Sequence, residues 1–88
     1  MEFQKEQERI YALDAEGKLA AEVTFPISDG AAHIDHTFVA GSLRGQGVAA
    51  QLLSAAADQI RRAGLRAVPT CTYAVRWFSE HPEQQDLL

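Results

Sequence analysis

The sequence predicts a mixed α/β domain of the α+β type, in which an antiparallel strand meander leads into a β-α-β crossover and a C-terminal helix. Residues 18–39 alternate between apolar and polar side chains, which is typical of half-buried strands. Residues 47–63 place apolar side chains at helical spacing. At 88 residues and 9.6 kDa, the chain is expected to form one domain over residues 1–88.

The first half of the chain predicts three antiparallel strands, over residues 9–13, 18–27 and 31–39. Pro26 has no N–H to donate, which predicts an edge or a bulge near the end of the second strand. Asp29-Gly30 predicts a tight turn between the second and third strands. In the third strand, alternate side chains are expected to share one face, namely Ala32, Ile34, His36 and Phe38.

The second half begins with a loop of three glycines over residues 41–47. The clearest helix of the sequence follows over residues 47–63, and Gly64 is expected to end it in the left-handed conformation. A short strand is predicted at 65–68 and ends at Pro69. A second helix is predicted at 73–80, and the tail 83–88 is left unassigned.

The loop before the long helix carries the most informative motif, Leu43-Arg44-Gly45-Gln46-Gly47-Val48-Ala49. The first N–H groups of a helix have no intrahelical acceptor, and the helix dipole adds about half a positive charge there. The glycines permit close approach to the backbone, and Arg44 adds a guanidinium. Together these features predict a site for a phosphate or pyrophosphate.

Two known phosphate motifs do not match this loop fully. The Gly-x-x-x-x-Gly-Lys-Ser/Thr pattern of a P-loop is missing. Gly45-x-Gly47-x-x-Ala50 has the spacing of a dinucleotide fingerprint, but the acidic residue expected about 20 positions later is missing and the chain is too short for that fold. An ordinary strand-to-helix turn is the alternative to an anion site.

Charge and composition exclude several partners. The net charge of −4 argues against nucleic acid, whereas the five arginines and single acidic residue of residues 36–79 suit a small polyanion. No apolar run approaches the roughly 20 residues of a membrane span. Cys71 is the one cysteine, so an internal disulfide and a cysteine-built zinc site are excluded, and no metal is expected. A lone thiol without a signal peptide predicts a cytoplasmic protein.

Several segments together resemble the GNAT superfamily of N-acetyltransferases, and in particular its short, single-domain branch. Arg44-x-x-Gly47-x-Ala49, which opens an amphipathic helix, is similar to motif A of that superfamily, Gln/Arg-x-x-Gly-x-Gly/Ala. The resemblance covers about residues 10–88. It also rests on His36-Thr37-Phe38-Val39, Pro69-Thr70-Cys71-Thr72-Tyr73-Ala74, Trp77-Phe78 and His81-Pro82-Glu83.

The resemblance implies a minimal GNAT fold with an acetyl-CoA site. It implies that the pantetheine arm pairs with the strand backbone at Phe38 and Val39. It also implies that the pyrophosphate lies on N–H groups of the loop and helix, here Arg44, Gly45, Gln46, Gly47, Val48 and Ala49. One arginine of the middle segment would meet the adenosine 3′-phosphate.

Two departures from the superfamily's pattern concern the acceptor and catalysis. The chain lacks the helices that larger members place between strands one and two. The acceptor site is therefore expected to be small, open or completed by a partner, which includes a second copy of the chain. Many members carry a tyrosine on the last helix that reprotonates the CoA thiolate, and Phe78 aligns with it here but has no proton to give.

Two side chains are candidate catalytic residues. Cys71 follows the strand at 65–68 and is expected to point into the cleft, where it can accept the acetyl group as a nucleophile. The alternative for Cys71 is a small buried thiol that fills space. His36 lies beside the implied pantetheine path and is a candidate general base. The alternative for His36 is a histidine on a sheet face.

The function predicted from these features is direct transfer of an acetyl group from acetyl-CoA to an amine, on a small molecule or a protein. Transfer through an acetyl group held on Cys71 is a variant that the sequence leaves open. Two alternatives belong to other classes, namely a CoA-binding module without catalysis and a plain protein-interaction domain. The missing helices and Phe78 keep the CoA-binding module open, and absence of any CoA binding would favour the interaction domain.

Overall fold

The strands form two sheets. In a computed structural model that describes all residues from Met1 to Leu88, seven strands are present: β1 Gln4–Glu6, β2 Arg9–Leu13, β3 Leu19–Thr24, β4 Ile27–Ser28, β5 Ala31–Ile34, β6 His36–Val39 and β7 Arg66–Pro69. One sheet is antiparallel, with the order β1-β2-β3-β6. The other has the order β4-β5-β7, in which β5 and β7 are parallel.

Two α-helices follow the strand-rich half, α1 over Val48–Arg62 and α2 over Thr72–Ser79. Two 3-10 segments lie at Gly41–Leu43 and Pro82–Leu87. Gly47 is the N-cap of α1, and Gly64 lies just beyond its end with φ +73°. Both helices therefore lie within about one residue of their predicted bounds. The 3-10 segment at Pro82–Leu87 accounts for the tail that the sequence left unassigned.

The prediction of one continuous strand over residues 31–39 is wrong, because the chain changes sheet at Asp35. The Asp35 N–H donates to the Thr24 carbonyl oxygen at 3.3 Å, and its Oδ1 accepts the Thr24 hydroxyl at 2.6 Å. This break interrupts the regular alternation of side chains between the two faces. Ala32 and Ile34 are fully buried, whereas His36 and Phe38 are exposed, so the four do not share one face.

The predicted second strand is interrupted at the same level, at Pro26. β3 ends at Thr24, and β4 begins at Ile27 in the other sheet. The Pro26 carbonyl oxygen accepts the His33 N–H at 2.9 Å, but proline has no N–H with which to continue the ladder. The two interruptions lie side by side and together divide the strands into two sheets.

The crossover through α1 places β7 beside β5 and leaves one edge of β6 free. β5 and β7 pair in parallel, from Ala31 opposite Arg66 to Ile34 opposite Pro69, which confirms the predicted β-α-β unit. β6 pairs with β3 and with no other strand. Because β5 and β6 lie in different sheets, a gap separates β6 from β7.

One apolar core joins α1, α2 and both sheets. It contains 18 buried residues, among them Ile10, Val23, Phe25, Leu52, Ile60, Trp77 and Phe78. Trp77 and Phe78 meet edge to face, with ring centroids 5.0 Å apart, as expected for core aromatics. Every buried side-chain nitrogen and oxygen has a hydrogen-bond partner. Neither helix is long and apolar enough to cross a membrane.

Candidate functional site

The loop before α1 presents a row of free peptide donors. The first helical hydrogen bond of α1 runs from the Gln51 N–H to the Gly47 carbonyl oxygen. The N–H groups of residues 45–50 donate to no acceptor in the protein, and no side chain caps the helix. No acidic residue lies in the first turn. Six consecutive donors at the positive end of a helix dipole form a binding surface for an anion.

Two glycines give this loop its shape. Gly45 and Gly47 have φ values of +82° and +74°, in the left-handed region that other residues rarely adopt. A Cβ at either position would meet no heavy atom within 4 Å. The glycines are therefore required by backbone conformation rather than by crowding within the protein.

Arg44 is the arginine that remains available to this surface. Arg61, Arg62 and Arg76 are ion-paired with Asp86, Asp58 and Glu80, at 2.9, 3.0 and 3.3 Å. Arg66 begins β7, beyond the opposite end of α1. Arg44 makes no ion pair and lines the cleft that the glycine loop borders. The sequence singles out Arg44 by its place in the loop motif, and the structure adds that Arg61, Arg62 and Arg76 are occupied by acidic partners.

The glycine loop borders a shallow cleft of about 250 Å³. Its walls come from β6, the loop, the first turn of α1 and the first turn of α2. The lining residues are Val39, Leu43, Arg44, Gly45, Gly47, Val48, Ala49, Ala50 and Tyr73. Of the eight residues predicted to bind the cofactor, six therefore line this cleft. Gln46 is exposed and donates from Nε2 to the Ser42 carbonyl oxygen at 3.3 Å.

The free edge of β6 leads into this cleft. The Ala40 N–H donates to the Ala20 carbonyl oxygen at 2.8 Å. Because bonded and non-bonded pairs alternate along antiparallel strands, Phe38 and His36 direct their peptide groups towards β3. Thr37 and Val39 direct theirs towards the gap beside β7. The backbone of Val39, and not that of Phe38, is thus available to a ligand lying along this edge.

Cys71 lies across the gap from Thr37. It is the N-cap of α2, and its Sγ accepts the Ala74 N–H at 3.4 Å. The same sulfur lies 3.5 Å from the Thr37 Oγ1. The side chain is half-buried. The sulfur therefore lies at the N-terminus of α2 and beside the free edge of β6.

Tyr73 supplies the one hydroxyl group among the cleft-lining side chains. Burial raises the pKa of its phenol above the usual value, and the nearby Glu80 carboxylate adds to the effect. The phenol therefore keeps its proton at neutral pH. Tyr73 belongs to the Pro69–Ala74 segment that resembles the GNAT superfamily, but its place beside the glycine loop depends on where α2 lies relative to the loop.

His36 lies on the other face of β6. Side chains alternate along a strand, so Thr37 faces the Cys71 side, whereas His36 and Phe38 face outwards on the four-stranded sheet. His36 is about half exposed, and its Nε2 lies 3.4 Å from the Glu22 Oε1. The structure does not bring His36 and Cys71 into contact; they flank Thr37 from opposite sides of the strand.

Phe78 is a core residue and not a wall of the cleft. It is 2% exposed and belongs to the main apolar cluster. A tyrosine placed there would bury a hydroxyl group with no partner.

We therefore expect Phe78→Tyr to destabilise the fold by about 1–3 kcal/mol without raising any turnover. Thermal unfolding, followed by circular dichroism, measures the first effect, and an acetyl-transfer assay measures the second. A stable Phe78→Tyr protein with faster turnover would contradict the core assignment.

No three histidine, cysteine, aspartate or glutamate side chains lie close enough together to hold a metal ion. The features of the site are thus peptide N–H groups, one guanidinium, a strand edge and a thiol.

Comparison with known proteins identifies the family. A family model described as GCN5-related N-acetyl-transferase matches residues 9–87. A GCN5-like protein from Staphylococcus aureus, solved by NMR, is 31% identical, with a TM-score of 0.81 over 98% of this chain and 85% of that one. A search of curated protein sequences finds no match to this chain.

Larger acetyltransferases share the same fold. An acetyltransferase from Bacillus cereus is 25% identical, with a TM-score of 0.69 over 83% of this chain and 54% of that one. The ribosomal-protein-S18-alanine N-acetyltransferase from Escherichia coli is 18% identical, with a TM-score of 0.67 over 88% and 53%. The chain thus spans most of the Staphylococcus aureus protein but about half of these larger ones.

The mixed α+β fold, with its glycine loop between β6 and α1, agrees with the family match over residues 9–87. On that match and the similarity to the Staphylococcus aureus structure, the chain belongs to the GCN5-related N-acetyltransferase family.

Proposed function

We propose that this protein transfers an acetyl group from acetyl-CoA to an amine. The observation that carries the proposal is the row of six free peptide donors, beside an unpaired arginine, at the end of a free strand edge. A pyrophosphate needs the donors and the positive charge, and an extended amide-containing arm needs the strand edge. CoA contains both groups in that order.

In this proposal the pyrophosphate lies on the N–H groups of residues 45–50, and Arg44 pairs with a phosphate oxygen. The pantetheine arm extends along β6 and exchanges hydrogen bonds with the Val39 backbone. Its thiol end then reaches the edge of β6 beside Thr37 and Cys71, whose Oγ1 and Sγ are in contact at 3.5 Å. The apolar wall formed by Leu43, Val48 and Tyr73 covers the methylene groups of the arm.

The first chemical step is assigned to Cys71. Its sulfur attacks the thioester carbonyl carbon, and the bond from that carbon to the CoA sulfur breaks. CoA leaves with the electron pair and takes up the proton that the Cys71 thiol loses. The Thr37 N–H at the free edge is positioned to polarise the carbonyl oxygen. The product of the step is an acetyl group on Cys71.

The second step is assigned to the outer face of the sheet. In this proposal acetyl-CoA occupies the α1 side of β6. The acceptor amine therefore approaches from the exposed side of the strand, where His36 takes the proton of the amine. No helix covers this face, and the acceptor site is correspondingly open. A second copy of the chain is one candidate for completing the site. A lone, unpaired thiol fits our proposal that the protein works in the cytoplasm.

Titration of ¹⁵N-labelled protein with acetyl-CoA tests the proposed acetyl-CoA site. We expect the largest backbone amide shifts at residues 44–50, Thr37 and Val39. Desulfo-CoA, which lacks the thiol, separates the contribution of the loop from that of the Cys71 end. No shifts at millimolar acetyl-CoA would overturn the proposal and favour a plain protein-interaction domain.

Arg44→Ala is expected to weaken binding of CoA by about tenfold or more, because a charged hydrogen bond to a phosphate is removed. Arg66→Ala is the matched control, since Arg66 is also an exposed arginine without an ion pair but begins β7 far from the loop. Isothermal titration calorimetry with CoA measures both variants. Equal affinity for Arg44→Ala and wild type would remove Arg44 from the site.

A CoA-binding module without turnover is the second candidate, and the burial of Phe78 favours it. The position that supplies a proton donor in many relatives is here part of the core. CoA binding in the titration, combined with no acetylated product across a panel of small amines and lysine peptides, would support this candidate over the enzyme.

A further inference from the structure

On the outer face of the four-stranded sheet, a series of side-chain contacts runs from Tyr11 through Arg9 and Glu22 to His36. The Arg9 guanidinium lies over the Tyr11 ring, 3.8 Å from its centroid. The Arg9 Nε donates to the Glu22 Oε2 at 2.5 Å. The other carboxylate oxygen of Glu22, Oε1, lies 3.4 Å from the His36 Nε2. The four side chains come from three neighbouring strands, β2, β3 and β6.

Glu22 is more buried than His36, and its carboxylate is held in position by Arg9. The Glu22 side chain is 15% exposed, whereas that of His36 is 54% exposed. The hydrogen bond with Glu22 raises the pKa of Arg9 above its usual value. Arg9 therefore stays charged and holds Oε2, which leaves Oε1 directed at the imidazole.

This arrangement distinguishes the two nitrogens of the imidazole ring. A neutral imidazole carries one hydrogen, and the nitrogen facing a carboxylate is the one that keeps it. Nε2 is the nitrogen that faces the Glu22 carboxylate, at an ion-pair distance of 3.4 Å rather than in a formed hydrogen bond, while Nδ1 contacts no polar group of the protein. The lone pair of Nδ1 is thus left free on the exposed face of β6.

We propose that Glu22 is a positioning residue, which holds His36 in the tautomer with hydrogen on Nε2 and so leaves Nδ1 as the proton-accepting atom. The inference rests on the proposed acetyl transfer and deepens it. As the amine nitrogen bonds to the acetyl carbon, its proton passes to Nδ1 through one bridging water molecule, since His36 and Cys71 lie on opposite faces of β6. The bond from that carbon to the Cys71 sulfur breaks, with the electron pair returning to sulfur. The Glu22 carboxylate accepts no proton and stabilises the imidazolium that forms.

A double-mutant cycle separates this role from a structural one. Glu22→Gln is expected to lower kcat about tenfold to a hundredfold while leaving the affinity for CoA unchanged. In the His36→Gln background, the same change is expected to have little further effect. Asp58→Asn is the control, because it removes the same charge from an exposed ion pair on α1. An equal loss with and without His36 would show a structural role and overturn the inference.

The tautomer itself is measured without any turnover. The ring ¹⁵N chemical shifts of His36 report which nitrogen carries hydrogen. We expect Nε2–H in the wild type and a larger Nδ1–H fraction in Glu22→Gln. Glu22→Asp keeps the charge but withdraws the carboxylate, and it is expected to shift the tautomers in the same direction.

An unchanged tautomer ratio in a folded variant would overturn the inference. This readout stands even if the protein acetylates no amine, so failure of the positioning role is distinguishable from failure of the proposed function.

Discussion

Cys71→Ala is expected to abolish acetyl transfer, with kcat falling by about a thousandfold or more, because the proposed acetyl-accepting sulfur is lost. The affinity for CoA should change little, since the pyrophosphate surface at residues 45–50 lies on another element. Wild-type protein incubated with acetyl-CoA alone should gain one acetyl group on Cys71, and the alanine variant should gain none. Steady-state kinetics and mass spectrometry measure the two effects.

Cys71→Ser is the matched control for the structural part of this change. Cys71 caps α2 through the Ala74 N–H, and loss of an N-cap costs about 1 kcal/mol. Serine restores the cap and the contact with Thr37 but is a weaker nucleophile. If alanine and serine are both inactive and the serine variant is as stable as wild type, the defect is chemical. Full turnover by Cys71→Ala would show direct transfer from acetyl-CoA to the amine.

The parts of the fold that the sequence predicted well are those with local signals. α1 has its apolar stripe, a glycine at each end and no helix breaker between, and its bounds follow from those residues. The Asp29-Gly30 turn has positive φ at both residues, as expected for a tight hairpin. The glycine loop was recognised for the same reason, because its conformation is set within seven residues.

The break at Asp35 was not predicted, because it depends on partners distant in sequence. Residues 31–39 alternate without a proline or glycine, so nothing local marks a change of sheet. The break is specified by Thr24, which binds Asp35, and by β7, which pairs only as far as Ile34. β1 was missed for a related reason, since its three residues are exposed and polar and it is held by pairing with β2.

The break also decides what the candidate site contains. It turns the peptide groups of Thr37 and Val39 to a free edge, and it moves His36 to the face opposite Cys71. Sequence reasoning placed Phe38 and Val39 together beside a ligand, whereas the strand register separates their backbones. Thr37 and Glu22 gain their proposed roles from this geometry, and the sequence alone gives neither residue a distinguishing signal.

Gly47→Val is expected to reduce both CoA binding and stability. Gly47 has φ +74°, where an ordinary side chain costs about 1–2 kcal/mol and a β-branched one is least tolerated. The strain should lower Tm by about 4–8 °C for each kcal/mol in a domain of this size. If the Gly47→Val protein relaxes this strain by changing its backbone conformation, the N–H groups of residues 45–50 no longer point to one anion. The Kd for CoA should therefore rise by at least about tenfold.

Gly41→Val separates this conformational effect from added bulk. Gly41 lies six residues earlier in the same connection, and its φ is not in the left-handed region. A Cβ at either glycine would meet no heavy atom within 4 Å, so crowding inside the protein is equal in the two variants. Calorimetry with CoA and thermal unfolding should therefore show a large loss for Gly47→Val and a small one for Gly41→Val. If a folded Gly47→Val protein bound CoA as well as wild type, the pyrophosphate would not lie on this loop, because a valine side chain there changes the backbone on which the binding surface depends.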